Sequence, residues 1–251
     1  MTAAPQAFFE VEPAASWPLD ELASQRIRLR RGSALLASGA RFSGLYAVRA
    51  GSCKAVMTAA GGDEHVAGHY IAGDVIGADA IASGFHDATV VALEDSELAL
   101  MPLDRIEALA RRDPGFQRSV SVLLSREIAR DRKAMLMLGT MRAEQRAAGF
   151  LLDLSERYGR RGYSPREFVL RLSREDIGSH LGLSQETVSR TLSRLHRSGV
   201  LAVRGRSVKL LDREALQRVH TGSTPLSPMS KFASHGIKRK TGRAPTMQAV
   251  I

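Results

Sequence analysis

The chain has 251 residues, room for two modest domains with cores of their own. It holds no apolar run of about eighteen residues, so no helical membrane span is expected, and its acidic start, MTAAPQAFFEVEPAASWPLDEL, is not a secretory signal. The single cysteine, Cys53, excludes an internal disulfide and an all-cysteine metal site within one chain; a cytoplasmic protein is expected. The formal charge of +10 is unevenly placed. Residues 1–142 carry 16 basic and 17 acidic side chains, residues 143–220 carry 15 and 9, and residues 221–251 carry 5 and none. A one-sided basic excess is the footprint of a polyanion partner, and double-stranded DNA fits best.

In chain order, residues 1–20 form a leader that Pro5, Pro13 and Pro18 keep out of regular structure, with Phe8, Phe9 and Trp17 apolar enough to pack on something. Residues 21–112 alternate short apolar runs with glycine turns. The runs are Ala34–Leu36, Leu45–Val48, Cys53–Met57, Val66–Tyr70, Thr89–Leu93 and Leu98–Met101, a pattern that predicts a β-sandwich or barrel. Residues 104–112 read as a helix closing it. Over residues 113–142, Pro114 opens a long helix, about Phe116 to Met141. On it Val120, Leu124, Ile128, Asp131, Met135 and Leu138 recur at steps of three and four, a coiled-coil seam. Asp131 is the exception on that seam. Either it borders the seam and pairs with Arg130 or Lys133, or two copies face each other, repel, and make dimerisation marginal.

Residues 143–220 begin with a helix, Arg142 to Tyr158, followed by the turn GRRGYS and a short strand, Phe168–Leu172. Then comes LSREDIGSHLGLSQETVSRTLSRLHRSGV. Ser173 caps one helix with Asp176 three residues on, Gly182 breaks it, and Ser184 caps a second whose Val188, Leu192 and Leu195 face inward. Two short helices about a glycine turn form a helix-turn-helix, whose second helix lies in the DNA major groove. Its outward face holds Gln185, Glu186, Ser189, Arg190 and Arg194, side chains suited to base edges and phosphates. Ala202, Val203, Val208 and Leu210 predict a two-stranded wing bent at Gly205, with Arg204, Arg206 and Lys209 near phosphates. Residues 221–251, rich in Ser, Pro and basic residues, predict a disordered tail. No nucleophile–base set, P-loop or metal-ligand spacing is present, so no enzyme is expected.

The segment LSREDIGSHLGLSQETVSRTLSRL resembles the helix-turn-helix of the Crp/Fnr superfamily of bacterial transcription regulators, in its Fnr branch. RGYSPREFVLRLSREDIG, AGDVIGADAIASGFH and LYAVRAGSCK are similar to Fnr segments as well, so the resemblance covers about residues 20 to 220. It implies an α+β chain: an N-terminal double-stranded β-helix (a jelly roll of the cyclic-nucleotide-binding type) as sensor, a long dimerisation helix, and a C-terminal winged helix-turn-helix. It further implies a homodimer on a palindromic TTGAT-like site, acting as an activator that recruits RNA polymerase or as a repressor that blocks it. By the resemblance Glu186, Ser189 and Arg190 read bases, with Arg190 on guanine. Ser184, Thr187, Arg194, Arg204, Arg206 and Lys209 are assigned to the DNA backbone, and Gly62 and Asp63 to a polymerase contact.

The sensor departs from both signals best known in the family. Asp87 and Ala88 stand where cyclic-AMP receptors place the arginine that holds the phosphate, which argues against a cyclic nucleotide. Residues 1–30 hold no cysteine and Ala99 occupies the sensor-domain position, which argues against an iron–sulfur cluster; Cys53 reads as a small core hydrophobe. Seven histidines are scattered, His65, His69 and His86 among them. Scattered histidines usually lie on the surface, and haem as a ligand stays open. No cofactor is predicted.

Overall fold

The computed structural model describes residues 17–223. Phe8, Phe9 and all but the first three residues of the expected tail lie outside that range. Trp17 is buried, its ring edge-on to Phe116 at 5.0 Å, and a single turn, α1 (Leu19–Leu22), follows. Eight strands then form the sandwich: β1 (Gln25–Leu29), β2 (Ala34–Leu36), β3 (Leu45–Ala50), β4 (Ser52–Thr58), β5 (Glu64–Ile71), β6 (Val75–Ile76), β7 (Thr89–Ala92) and β8 (Ser96–Met101). A turn of helix, α2 (Ala80–Ser83), interrupts them after β6. One sheet runs β1-β8-β3-β6 and the other β2-β7-β4-β5, antiparallel throughout. Leu36, Val48, Cys53, Ala55, Val90 and Leu98 fill the space between. The six apolar runs of the sequence all became strands. β1 and β6 were not among those runs: β1 has only Ile27 and Leu29 as apolar residues, separated by charge, and β6 is two residues long.

α3 (Leu103–Arg112) closes the sandwich. α4 (Pro114–Thr140) is the long helix, capped by Asp113, whose Oδ1 accepts from the N–H groups of Gly115 and Phe116 at 2.8 and 3.1 Å. Its proline sits in the first turn, where the missing N–H costs nothing. Met141 and Arg142 are extended, a break between α4 and α5 (Ala143–Gly159). The C-terminal half adds β9 (Glu167–Val169), α6 (Arg174–Leu181), α7 (Gln185–Arg197), β10 (Leu201–Arg204), β11 (Ser207–Leu210) and α8 (Arg213–Thr221). The wing is three-stranded, β10-β11-β9, rather than two-stranded. α8 was not anticipated, although Asp212 caps it through the Ala215 N–H at 2.8 Å.

The two halves are bolted together. β5 is an edge strand, and such edges need cover. Here α6 supplies it: Ser179 Oγ accepts from the Val66 N–H at 2.9 Å, and a His180 ring nitrogen meets the Val66 carbonyl at 2.9 Å. Val56 and Val66 join the core of the C-terminal half. Lys54 of β4 pairs with Asp176, and buried Asp74 is held by Arg157 and Arg161 of the α5 end.

His69 and His86 are not surface residues, as scattered histidines were expected to be, but are buried at 7% and 2% exposure. Neither ring nitrogen of His69 has a hydrogen-bond partner. Burial, and then the neighbouring Arg157, push its pKa down from 6.5 to about 3. The unfolded chain therefore takes up a proton below pH 6.5 that the folded chain refuses until about pH 3. Stability falls with pH across that window, by about 2 kcal/mol from this group at pH 5. Urea unfolding at pH 7 and pH 5 is expected to show a smaller loss in His69→Leu than in the unaltered chain; equal losses would refute this assignment.

Candidate nucleic-acid interface

The helix-turn-helix forms from its caps inward. Ser173 Oγ accepts from the Asp176 N–H at 2.9 Å and Asp176 returns the bond to the Ser173 N–H at 3.0 Å. Burial opposes the charge on Asp176, yet Lys54 and Ser173 outweigh it and hold its pKa below the usual range. α6 ends at Gly182, φ +61°, a left-handed position that glycine takes without steric cost. Ser184 Oγ then accepts from the Thr187 N–H at 3.1 Å and starts α7. Val188, Thr191, Leu192 and Leu195 are buried. The opposite face is open: the Glu186 and Arg190 side chains are 76% and 66% exposed and lie 3.5 Å apart, and Ser189 is exposed beside them. An exposed pair of this kind is worth little, so both side chains can be freed for other partners at little cost.

The residues assigned to the DNA backbone divide. Ser184 is exposed, its hydroxyl 2.9 Å from that of Thr187, which is half-buried. Arg194 pairs with Glu144 of α5, so a phosphate would have to compete for it. Arg204 and Arg206 stand exposed at the wing tip, and Lys209 lies 3.4 Å from Glu167 of the neighbouring strand. Arg174 donates to the Gly205 carbonyl at 3.0 Å and ties the wing to α6.

Two residues that fix the interface carried no motif. Gly178 lies inside α6, where an added Cβ would come within 2.5 Å of the Leu183 carbonyl oxygen. Arg146 donates to the Leu138 carbonyl of α4 at 2.7 Å, to the Met141 carbonyl just past it at 2.9 Å, and to the Leu181 carbonyl at 2.9 Å. It thus clamps the end of α4 to the turn of the motif.

Comparison with known proteins bears on the same two halves. Residues 26–113 match the cyclic nucleotide-binding domain and residues 145–219 the Crp-like helix-turn-helix domain. The transcriptional regulatory protein btr of Bordetella pertussis is 41% identical over 201 residues, 80% of this chain and 83% of the relative. The chain belongs to the Crp/Fnr family of transcription regulators. The fumarate and nitrate reduction regulatory protein of Escherichia coli K12 is 38% identical to this Crp/Fnr regulator over 201 residues, 80% of each. The structure of FixK2 from Bradyrhizobium japonicum superposes with a TM-score of 0.70 at 28% identity, over 78% of this chain and 96% of that one. These relatives are regulators, not enzymes. The chain is accordingly a Crp/Fnr-type transcription regulator with a helix-turn-helix DNA-binding domain.

In this Crp/Fnr regulator the seam of α4 is shared between two faces. Val120 packs on the Trp17, Ile106 and Phe116 cluster of its own sandwich, and Leu124 lines a cavity beneath the helix. Farther along, Ile128, Met135 and Leu138 are exposed at 52%, 73% and 37%, with Leu136 beside them at 57%. Asp131 is exposed; Arg130 turns to Glu127 instead. Gly62 and Asp63 form the exposed tip of the β4–β5 hairpin, where the Ala59 N–H donates to the Asp63 carbonyl at 2.9 Å.

The cavity lies in the jelly roll against α4 and measures about 550 Å³. Its lining includes the carboxylates of Asp79, Asp87, Glu127 and Asp131 and neither lysine nor arginine. With four acidic residues and no lysine or arginine in the lining, the cavity offers a cyclic phosphate no cationic side chain, so these residues do not fit a cyclic nucleotide. His86 lines the same cavity with neither ring nitrogen hydrogen-bonded. Cys53 is buried in the sandwich, and burial first, then Glu94, push its thiol up to about 11. It is a poor thiolate, as its core position leads one to expect. Among the described residues no helix is long and apolar enough to cross a membrane.

Proposed function

We propose that the chain acts as a homodimer on a palindromic, TTGAT-like duplex site, each subunit laying α7 in one major groove. The observation that carries this reading is the open face of α7, where Glu186, Ser189 and Arg190 stand together on a helix capped and buried on its other side. Arg190 takes guanine through its two acceptors, Glu186 the facing cytosine or a neighbouring adenine, and Ser189 a thymine. Ser184, Thr187, Arg194, Arg204, Arg206 and Lys209 steady the backbone.

The exposed apolar side chains of Ile128, Met135, Leu136 and Leu138, within one stretch of the chain, support α4 as the dimer helix, since clustered exposed apolar surface marks an interaction site. Asp131 lies within that stretch, so two copies would bring two carboxylates together and keep the dimer weak. The Gly62–Asp63 tip is exposed enough to meet RNA polymerase in an activating complex, and occupation of the site alone would repress. The acid-lined cavity and the unreactive Cys53 speak against a cyclic nucleotide and an iron–sulfur cluster as the signal. A ligand-gated regulator of the same fold, with haem or a small molecule in the cavity beside His86, is the second reading; a visible absorption band in the purified protein would reveal haem, and mass spectrometry of the denatured protein would reveal a colourless ligand. The regulator works in the cytoplasm, where its DNA lies.

Arg190→Ala is expected to cost about 1–3 kcal/mol per half-site and to relax preference at one base pair. Binding titrations on specific and random duplexes measure this. A loss of equal size on both would contradict base reading by Arg190.

A further inference from the structure

Where α4, α5 and the turn before β6 meet, a cavity of about 80 Å³ is lined by five guanidiniums. Arg126 and Arg130 come from α4, Arg157 from the last turn of α5, and Arg160 and Arg161 from the turn that follows it. Two carboxylates face them, Asp74 and Glu127. Both are engaged already: Asp74 by Arg157 and Arg161, Glu127 by Arg130. Farther out, Glu156 pairs with Arg160 and Asp153 with Arg157, but both side chains are 52% exposed and screened by water.

On the cavity wall itself five arginines stand against two acidic residues. Arg126 is held below the ordinary arginine range by burial, then by Arg160 and Arg130. Arg161 is held down by burial, with Arg157 and Arg130 adding to it against the pull of Asp74. Arg157 and Arg161 each keep a buried Nε–H with no hydrogen-bond partner. Native interiors rarely leave such donors unmatched.

We propose that this cavity binds a small oxyanion of the phosphate class. Such an ion would place negative charge among five arginines and could accept from the Nε–H groups of Arg157 and Arg161. The forked guanidinium geometry suits a tetrahedral oxyanion. A liquid water occupies about 30 Å³, so the cavity has room for a bare oxyanion or the phosphate end of an ester, and not for a nucleotide. The site joins residues of α4 to residues of α5 across the Met141–Arg142 break, so its occupant ties the long helix to the DNA-binding half.

The test is calorimetric titration of the full chain with inorganic phosphate, in chloride buffer of matched ionic strength, with glycerol phosphate as a parallel arm. One saturable phosphate site per chain is expected. Its affinity should fall at least about tenfold in R126Q/R160Q and stay unchanged in R132Q/K133Q, which removes the same charge from outside the cavity. Saturation by glycerol phosphate as well would identify a phosphate ester as an admissible source, and its failure would point to the free ion. Arg160 is 57% exposed on its side chain, so Arg160→Gln alone gives the comparison if the double variant does not fold. Absence of saturable binding in both arms, or equal affinity in the cavity and control variants, would overturn the proposal.

Discussion

Gly178→Val is expected to abolish specific DNA binding and to destabilise the C-terminal half by more than about 3 kcal/mol. The cause is steric and local. α6 and α7 approach so closely at their corner that the Leu183 N–H donates to the Gly178 carbonyl at 2.8 Å. A Cβ on residue 178 would stand 2.5 Å from the Leu183 carbonyl oxygen and 3.3 Å from the Gln185 nitrogen. Both obstacles are backbone, so no side chain can swing away. The corner must open, and α7 then leaves the angle that its buried face sets against α5 and β10. Even Gly178→Ala should show part of the loss, because the clash begins with the first carbon. Urea unfolding and DNA titration of the two variants measure it. Stability and affinity equal to the unaltered chain would show that the corner is looser than its geometry indicates.

Arg157→Met is expected to cost about 3 kcal/mol, the low end of the penalty for breaking a buried ion pair, because Arg161 still holds Asp74. The Arg157 side chain is 9% exposed; it bonds the Asp74 carboxylate, and donates to the His69 carbonyl at 2.7 Å. Burial alone would raise the Asp74 pKa, but Arg157 and Arg161, with the Ile71 N–H, hold it below the ordinary 3.8. A depressed carboxylate gives stability that is complete above its unfolded pKa and is lost as pH falls through the folded one. The Asp74 contribution therefore disappears only in acid below about pH 3.8, whereas that of His69 is already failing by pH 5. Asp74→Asn combined with Arg157→Met should lose less than the two single changes added together, since the charge is removed with its partner. Strict additivity in that cycle would mean the pair does not hold the halves together.

The sequence made local structure legible where side-chain period and caps agree. Ser173 and Ser184 marked both reading helices, and the spacing of Val188, Leu192 and Leu195 fixed which face of α7 is buried, hence which face is free. The sandwich strands were legible because glycine turns bracket them. β1, β6 and α8 were not legible: β1 interrupts its two apolar residues with arginines, β6 is two residues long, and α8 is short and follows directly on the wing. What the sequence could not give was pairing over distance. Arg157 and Asp74 are 83 residues apart, and Ser179 and Val66 are 113 apart. No local pattern says that an arginine at the end of one helix will meet an aspartate in a turn of the other half. The same holds for His69 and His86, whose burial depends on elements packed over them.

In the proposed complex two copies of α7 enter successive major grooves on one face of the duplex. Its most direct measurement is the affinity of the full chain for duplexes carrying two inverted TTGAT-type half-sites at stepped separations. Half-sites one helical turn apart, roughly 34–36 Å, should bind two chains with the highest affinity, and insertion of about five base pairs should weaken binding sharply by turning one half-site to the far side. Affinity that ignores the separation, or one chain bound per palindrome at saturation, would contradict it.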